Sequence, residues 1–283
     1  MATQTELFAD LRPASRPRPR ARKPPPVNIE APLWTIDKSR LIDEYLHHFL
    51  MVTKHGVYLD LFAGPQHTTD TENWSVRRVL ERRTEGNPSI RHYAVCDIKR
   101  QQANRLRRLG KGHPSFCVYE GDANARVHEM LRDAPITSKT ACFCLIDQRT
   151  FECHWTTVEA VAQYKREGYK IELFYFLAQK WLDRAWASTR DATKLAAWWG
   201  NEDHKHFRML PSVARAVALC NRFRDELGYA YAVPFSIHEK GEGSRTMYYM
   251  IHASDHPAAA GLMARAYLLA RSQEDGVTLK FKW

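Results

Sequence analysis

The chain has 283 residues, of which 44% are apolar and 26% charged, and these proportions exclude a collagen-like, coiled-coil or wholly disordered molecule. Its length suits one large domain with an appendage. A net charge of +10 favours association with polyanions such as nucleic acid, and says nothing about fold.

Residues 1–32 hold Arg12, Arg16, Arg18, Arg20, Arg22 and Lys23 against Glu6, Asp10 and Glu30, so this stretch carries only +3 of the net charge. Pro13, Pro17, Pro19, Pro24, Pro25 and Pro26 are interspersed with the basic residues. Proline lacks an amide donor and favours extended backbone, which argues against an amphipathic mitochondrial presequence and predicts a disordered Pro/Arg-rich tail. Its functional reading is a polybasic arm on phosphates. No run approaches the roughly 20 apolar residues of a membrane span, and no apolar signal segment opens the chain, so a cytoplasmic protein is expected. The six cysteines include no CxxC pair. Cys142 and Cys144, two apart on a predicted strand, point the same way and read as buried thiols.

Past the tail, Leu41, Ile42, Tyr45, Leu46 and Phe49 recur with helical spacing from about Ile36, and Gly56 is expected to end that helix. Residues 57–62 form a short apolar run that closes on Ala63-Gly64-Pro65, which predicts a buried strand entering a tight loop. A helix is expected near 75–83, a second strand over 92–98, and then a basic helix with Arg100, Arg105, Arg107, Arg108 and, after Gly110, Lys111. A third strand over 115–119 runs into Glu120-Gly121-Asp122, and the next helix carries Val127, Met130 and Leu131. The fourth strand, 141–147, ends on a carboxylate, and Thr156 with Glu159 suggests a capping box for the helix whose inward stripe is Val158, Val161 and Ala162. Residues 171–177 give the fifth strand.

Apolar strands alternating with helices predict a parallel sheet covered on both faces, a doubly wound, Rossmann-like α/β fold over 33–283. Residues 178–228 read as a helical insertion with four of the eight tryptophans, Trp181, Trp186, Trp198 and Trp199. Packing on the sheet is their favoured role, and covering a ligand crevice or contacting a partner is the functional one. Strands over 231–237 and 246–253 resemble the antiparallel pair that closes methyltransferase-type sheets, and a last helix covers 258–271.

Carboxylates fall at four successive strand ends, where ligands bind in open α/β sheets. Asp60-Leu61-Phe62-Ala63-Gly64-Pro65 ends the first strand, with small residues that let backbone approach a ligand closely. Asp97 ends the second and suits the hydroxyls of a ribose. Asp122, with Ala123 and Asn124, follows the third and suits an adenine amino group. Asp147 ends the fourth, beside the expected transfer centre.

The segments Trp34-Thr35-Ile36-Asp37-Lys38 with Tyr45-Leu46, 58–65, Gly121-Asp122-Ala123-Asn124, Asp147 with Trp155 and Glu159, and Tyr248-Tyr249-Met250-Ile251 with His256-Pro257 together resemble the three-Cys-motif partner proteins, the TcmP family. The resemblance implies a class I methyltransferase fold and S-adenosylmethionine as cofactor. It implies Asp60, Phe62, Ala63, Gly64, Pro65, Asp97, Asp122 and Ala123 as cofactor-binding residues, Asp147 as the catalytic one, and a companion protein with a three-cysteine motif. Family members usually carry a second glycine after the proline and Pro-Phe-Gly after the fourth-strand aspartate, where this chain has Gln66 and Gln148-Arg149-Thr150. Arg149 thus brings a cation beside the transfer centre, which would repel a sulfonium or recruit a phosphate.

The run after Asp147 matches neither an amino-methylase nor a cytosine C5-methylase motif, so no DNA methylase activity is implied. Cys153 beside His154 is a weak nucleophile candidate. His204-Lys205-His206 and His252 with Asp255 and His256 lack the further ligands of a metal site, and His256 is expected to open the last helix. The alternative to a methyltransferase is a non-catalytic module whose basic helix, Arg100 to Lys111, binds nucleic acid.

Overall fold

The computed structural model describes residues 38–64, 74–82, 88–238 and 246–272. The apolar runs become strands β1 (His55–Asp60), β2 (Ser89–Asp97), β3 (Phe116–Glu120), β4 (Cys142–Ile146), β5 (Glu172–Leu177), β6 (Tyr231–His238) and β7 (Thr246–Ser254). They form one sheet in the order β3-β2-β1-β4-β5-β7-β6. The first five pair in parallel, and β7 runs antiparallel to both β5 and β6. The chain steps outward from β1 to β3 and returns to β4, so the strand order reverses between β1 and β4, where a crevice opens at the carboxyl ends.

The helices are α1 (Lys38–Thr53), α2 (Ser75–Glu81), α3 (Arg100–Leu109), α4 (Ala123–Asp133), α5 (Trp155–Ala162), α6 (Gln179–Ser188), α7 (Ala192–Trp199), α8 (His204–Met209), α9 (Ser212–Asp225) and α10 (Ala259–Ser272). Both faces of the sheet are covered because β1, β4 and β5 are apolar at successive positions and so must be hidden on both sides. On one face Tyr58, Phe143, Phe174 and Phe176 pack with α1, α2 and α10. On the other, Val57, Leu59, Cys144 and Tyr175 pack with α4, α5 and the helices after β5. Cys142 and Cys144 share that second face, as their spacing predicts, and all six cysteines are free.

Two local expectations change. The first helix stops at Thr53, with Lys54 in a left-handed turn at φ 66°. Gly56 instead lies within β1, where a Cβ would come 2.8 Å from Phe49 Cε1 and 3.1 Å from the Ala141 carbonyl oxygen. The Thr156 and Glu159 capping box does not form, since α5 starts at Trp155 with His154 as its cap residue. Asn124 on α4 supplies the missing polar partner: its Oδ1 accepts from His154 N and Thr157 Oγ1, both at 2.8 Å.

Over 178–228 the packing role expected for the indoles is the one found for three of them. Helices α6 to α9 form the layer over the β5, β7 and β6 part of the sheet rather than a cover across its strand ends. Trp186, Trp198 and Trp199 are buried with Phe151 and Phe207, and Trp198 Nε1 donates to Tyr175 Oη at 2.9 Å. Packing is the role of these three indoles. Trp181 is the exception, being only half-buried. No helix among the described residues is long and apolar enough to cross a membrane. Residues 1–32 lie outside the described residues.

Candidate functional site

The carboxyl ends of β1 and β2 are tied together by carboxylates and backbone amides. Asp60 is buried at the end of β1, and its two oxygens accept from Tyr58 Oη at 3.0 Å and Phe62 N at 3.1 Å. Tyr58 and Asp60 are two apart on a strand and therefore share a face. Burial pushes the Asp60 carboxyl up to about 7. The Phe62 and Tyr58 donors oppose that rise, and the negative charges of Asp147 and Asp97 add to it.

Asp97, half-buried at the end of β2, accepts from Gly64 N at 3.0 Å and Lys99 N at 2.7 Å. A Cβ on residue 64 would collide with Asp97 Oδ2. The glycine is thus required by the approach of the Asp97 carboxylate, a refinement of the expectation that it makes room for a ligand directly. Ala63 is buried, donating its N–H to Cys96 O at 2.8 Å and accepting from Trp74 Nε1 at 2.6 Å. Phe62 packs at the margin of the core. Pro65 and Gln66 lie outside the described residues.

Asp122, exposed after β3, caps α4: its Oδ1 accepts from Asn124 N at 3.0 Å and Asn124 Nδ2 at 2.9 Å. Asn124 Nδ2 also donates to Glu152 O at 2.8 Å. One amide therefore holds the loop after β4 against the start of α4. Ala123 turns its methyl into the core, so only its backbone can serve a ligand.

Asp147 is half-buried just beyond β4, close enough to Asp60 and to Tyr248 for its charge to raise the pKa of both. Next to it Gln148 is buried and accepts from Cys153 N at 3.0 Å, which anchors the departing loop, while Arg149 is exposed. The structure thus brings Asp60, Asp97 and Asp147 together at the crevice, with Asp122 at the next strand end.

Other candidates fall away from it. The basic helix α3 packs on β2 and β3 through Ala103 and Leu106. Arg100, Arg107, Arg108 and Lys111 are exposed, Arg107 reaching Asn104 at 2.8 Å and Glu120 at 3.1 Å, and Arg105 meets Gln102 at 3.3 Å. Cys153 is buried, and desolvation pushes its thiol far above the usual range, so it is not an activated nucleophile. His204 is buried while His206 is exposed. His252 faces Glu172 Oε2 at 3.1 Å inside the core, and the same oxygen accepts from Tyr45 Oη. His256 Nδ1 accepts from Ala258 N at 3.2 Å and opens α10. No group of three or more metal-ligating side chains occurs among the described residues.

Tyr58, Trp74 and the bridging role of Asn124 are absent from the sequence-derived set. The spacing of Tyr58 to Asp60 carried a signal for the first. The partners of Trp74 and Asn124 are set only by long-range packing.

No protein-family model matches the sequence, and no curated protein matches it. Among solved structures, the chain is similar to TYW2 of M. jannaschii in complex with AdoMet, at 10% identity and a TM-score of 0.37 over 78% of this chain and 77% of that one. It is similar to the O-methyltransferase from Bacillus cereus in complex with SAH, at 8% identity and a TM-score of 0.39 over 75% of this chain and 79% of that one. The strand order, with its antiparallel β7, decides the fold. It is a class I methyltransferase-like fold. In open α/β sheets ligands bind at the crevice beside β1 and β4, where Asp60, Asp97 and Asp147 meet, with Asp122 at the next strand end.

Proposed function

We propose that the protein is an S-adenosylmethionine-dependent methyltransferase whose cofactor lies across the carboxyl ends of β1, β2 and β3. The observation that carries this is the Asp97 carboxylate, held by Gly64 N at 3.0 Å and Lys99 N at 2.7 Å over a glycine that admits no Cβ. A carboxylate oriented in this way accepts the two hydroxyls of a ribose, as each oxygen has more than one lone pair. Asp122 and the backbone of Ala123 stand at the next strand end for the adenine amino group, and Asp60 fixes the turn through Phe62 N. These acceptors fit the hydroxyls and amino group of the cofactor. When bound, S-adenosylmethionine supplies an electrophilic methyl carried on a sulfonium. Asp147 stands where the acceptor would be oriented, and Arg149 supplies a cation beside it.

The likeness to three-Cys-motif partner proteins supports a companion protein with that motif, and the acceptor lies outside what the cofactor residues define. The test is calorimetry with S-adenosylmethionine and S-adenosylhomocysteine. Binding of either, weakened at least tenfold by Asp97→Ala, supports the reading. Failure of both to bind at millimolar concentration overturns it. Binding indifferent to Asp97→Ala overturns the site.

The exposed row Arg100, Arg107, Arg108 and Lys111 favours a second reading, a nucleic-acid-binding surface on α3. Affinity for a DNA or RNA duplex would then fall steeply with salt, and the slope would flatten in an Arg105→Ala, Arg107→Ala, Arg108→Ala variant. A flat slope in the parent protein excludes it.

A further inference from the structure

The edge formed by the carboxyl end of β5 and the amino end of β7 carries side chains for which the cofactor has no use. Trp181, in the first turn of α6, meets Tyr248 near the start of β7 with ring centroids 5.1 Å apart. Both rings are only part-buried, in contrast to the neighbouring indoles. Lys180 Nζ stands 5.7 Å from the Trp181 ring centroid. The Tyr248 phenol also lies within electrostatic reach of Asp147 and of the exposed Arg149, so the pair adjoins the residue placed at the transfer centre. Immediately before Lys180, the buried Gln179 holds a carbonyl oxygen, Oε1, that meets no hydrogen-bond donor among the described residues. A buried acceptor without a partner costs free energy until a donor reaches it.

Each feature asks something different of a ligand. An open aromatic pair takes a planar ring by stacking. Two cations at its margin take an anion, and an orphaned amide oxygen takes an N–H donor. A simple aryl acid has the ring and the charge but no ring donor. A nucleotide has all three.

We propose that this edge is the acceptor site and that its ligand is a nucleotide unit, with the base stacked on Trp181 and Tyr248, a base N–H directed to Gln179, and the phosphate held by Arg149 and Lys180. Its role as acceptor site rests on the cofactor reading above, through Asp147. Binding of the nucleotide does not.

Calorimetry on the full chain, with and without S-adenosylhomocysteine, separates the two. The probes are the four nucleoside 5′-monophosphates, the parent nucleosides, benzoate, inorganic phosphate and a short single-stranded oligonucleotide. At least one monophosphate is expected to bind roughly tenfold more tightly than its nucleoside at low salt, and more tightly than benzoate or phosphate. Trp181→Ala lowers that affinity about tenfold or more, the scale of one lost stack. Trp181→Phe recovers most of it, and Arg149→Glu removes the preference for the phosphorylated form without touching the buried core. Tighter binding of the oligonucleotide than of any monophosphate assigns the ligand to a strand, and equal binding assigns it to a free nucleotide. The proposal is overturned if no nucleotide binds, if benzoate binds as well as the nucleotides, or if Trp181→Ala and Arg149→Glu leave nucleotide affinity unchanged. Loss of S-adenosylhomocysteine binding with nucleotide binding intact instead overturns the cofactor reading alone.

Discussion

Among the places where a cation meets an indole in the described residues, two differ in everything else. Arg222 on α9 lies between two rings, its guanidinium carbon 3.7 Å from the centroid of Trp155 and 4.2 Å from that of Trp199. Its remaining donors go to Glu226, at 2.6 Å through both Nε and Nη2, and to the carbonyl of Trp199. It is buried and each of its three nitrogens donates, so it fastens α9 to α5 and α7. Lys180 Nζ stands 5.7 Å from the Trp181 centroid on a part-exposed edge. A desolvated cation–π contact is worth several times an exposed one. The same pairing of residue types is therefore structural where water is excluded and open to a ligand where it is not.

The first way to break this contrast is Arg222→Ala, which removes two ring contacts and a part-buried ion pair. It should lower stability by about 3 kcal/mol in urea denaturation while leaving cofactor affinity unchanged. A loss below about 1 kcal/mol would show that Arg222 is no more fastened than an exposed residue.

Asp60 sharpens the contrast from the other side, since this buried charge is met by neutral donors instead of an opposite charge. Its carboxyl is raised by burial to about 7, against roughly 3.9 in the unfolded chain. The folded protein therefore binds the extra proton between those values. The stability it confers is complete below the unfolded pKa and is lost as pH rises through about 7. Urea midpoints should fall from pH 5 to pH 8, and Asp60→Asn should flatten that fall and exceed the parent at pH 8 by roughly 2 kcal/mol. A parent profile that rises over this range would refute the assignment.

Gly64→Ala tests how tightly the cofactor edge is built. The added methyl displaces Asp97, so S-adenosylhomocysteine affinity should drop at least tenfold in calorimetry while stability falls by only about 1 kcal/mol. The smallest effect belongs to Lys180→Ala. Its stability should stay within about 0.5 kcal/mol of the parent by thermal unfolding, because a cation–π pair that water still reaches adds little. A larger loss would place Lys180 in the structural class with Arg222.

Much of the architecture was readable along the chain. The strand runs were legible because each strand of a sheet covered on both faces is almost wholly apolar. The carboxylates stood out because they interrupt that pattern at the strand ends, at Asp60, Asp97, Asp122 and Asp147. The cap of α5 was misread because Thr156 and Glu159 satisfy a local rule, whereas the bonds to Asn124 span about 30 residues and have no local signature. Trp181 and Trp186 looked equivalent in the sequence, yet one meets Tyr248 at the edge and the other is buried against Phe151.

The sequence by itself determined which segments become strands and helices and which ends carry acid, because period and burial are properties of a segment and its own side chains. Only the tertiary structure decided that Asp97 leans on Gly64 from 33 residues away, that Arg222 is enclosed by indoles of two other helices, and that Trp181 is left at the edge. Each of these depends on strand order and layer packing, which bring distant groups to hydrogen-bonding distance and exclude water from some of them but not others.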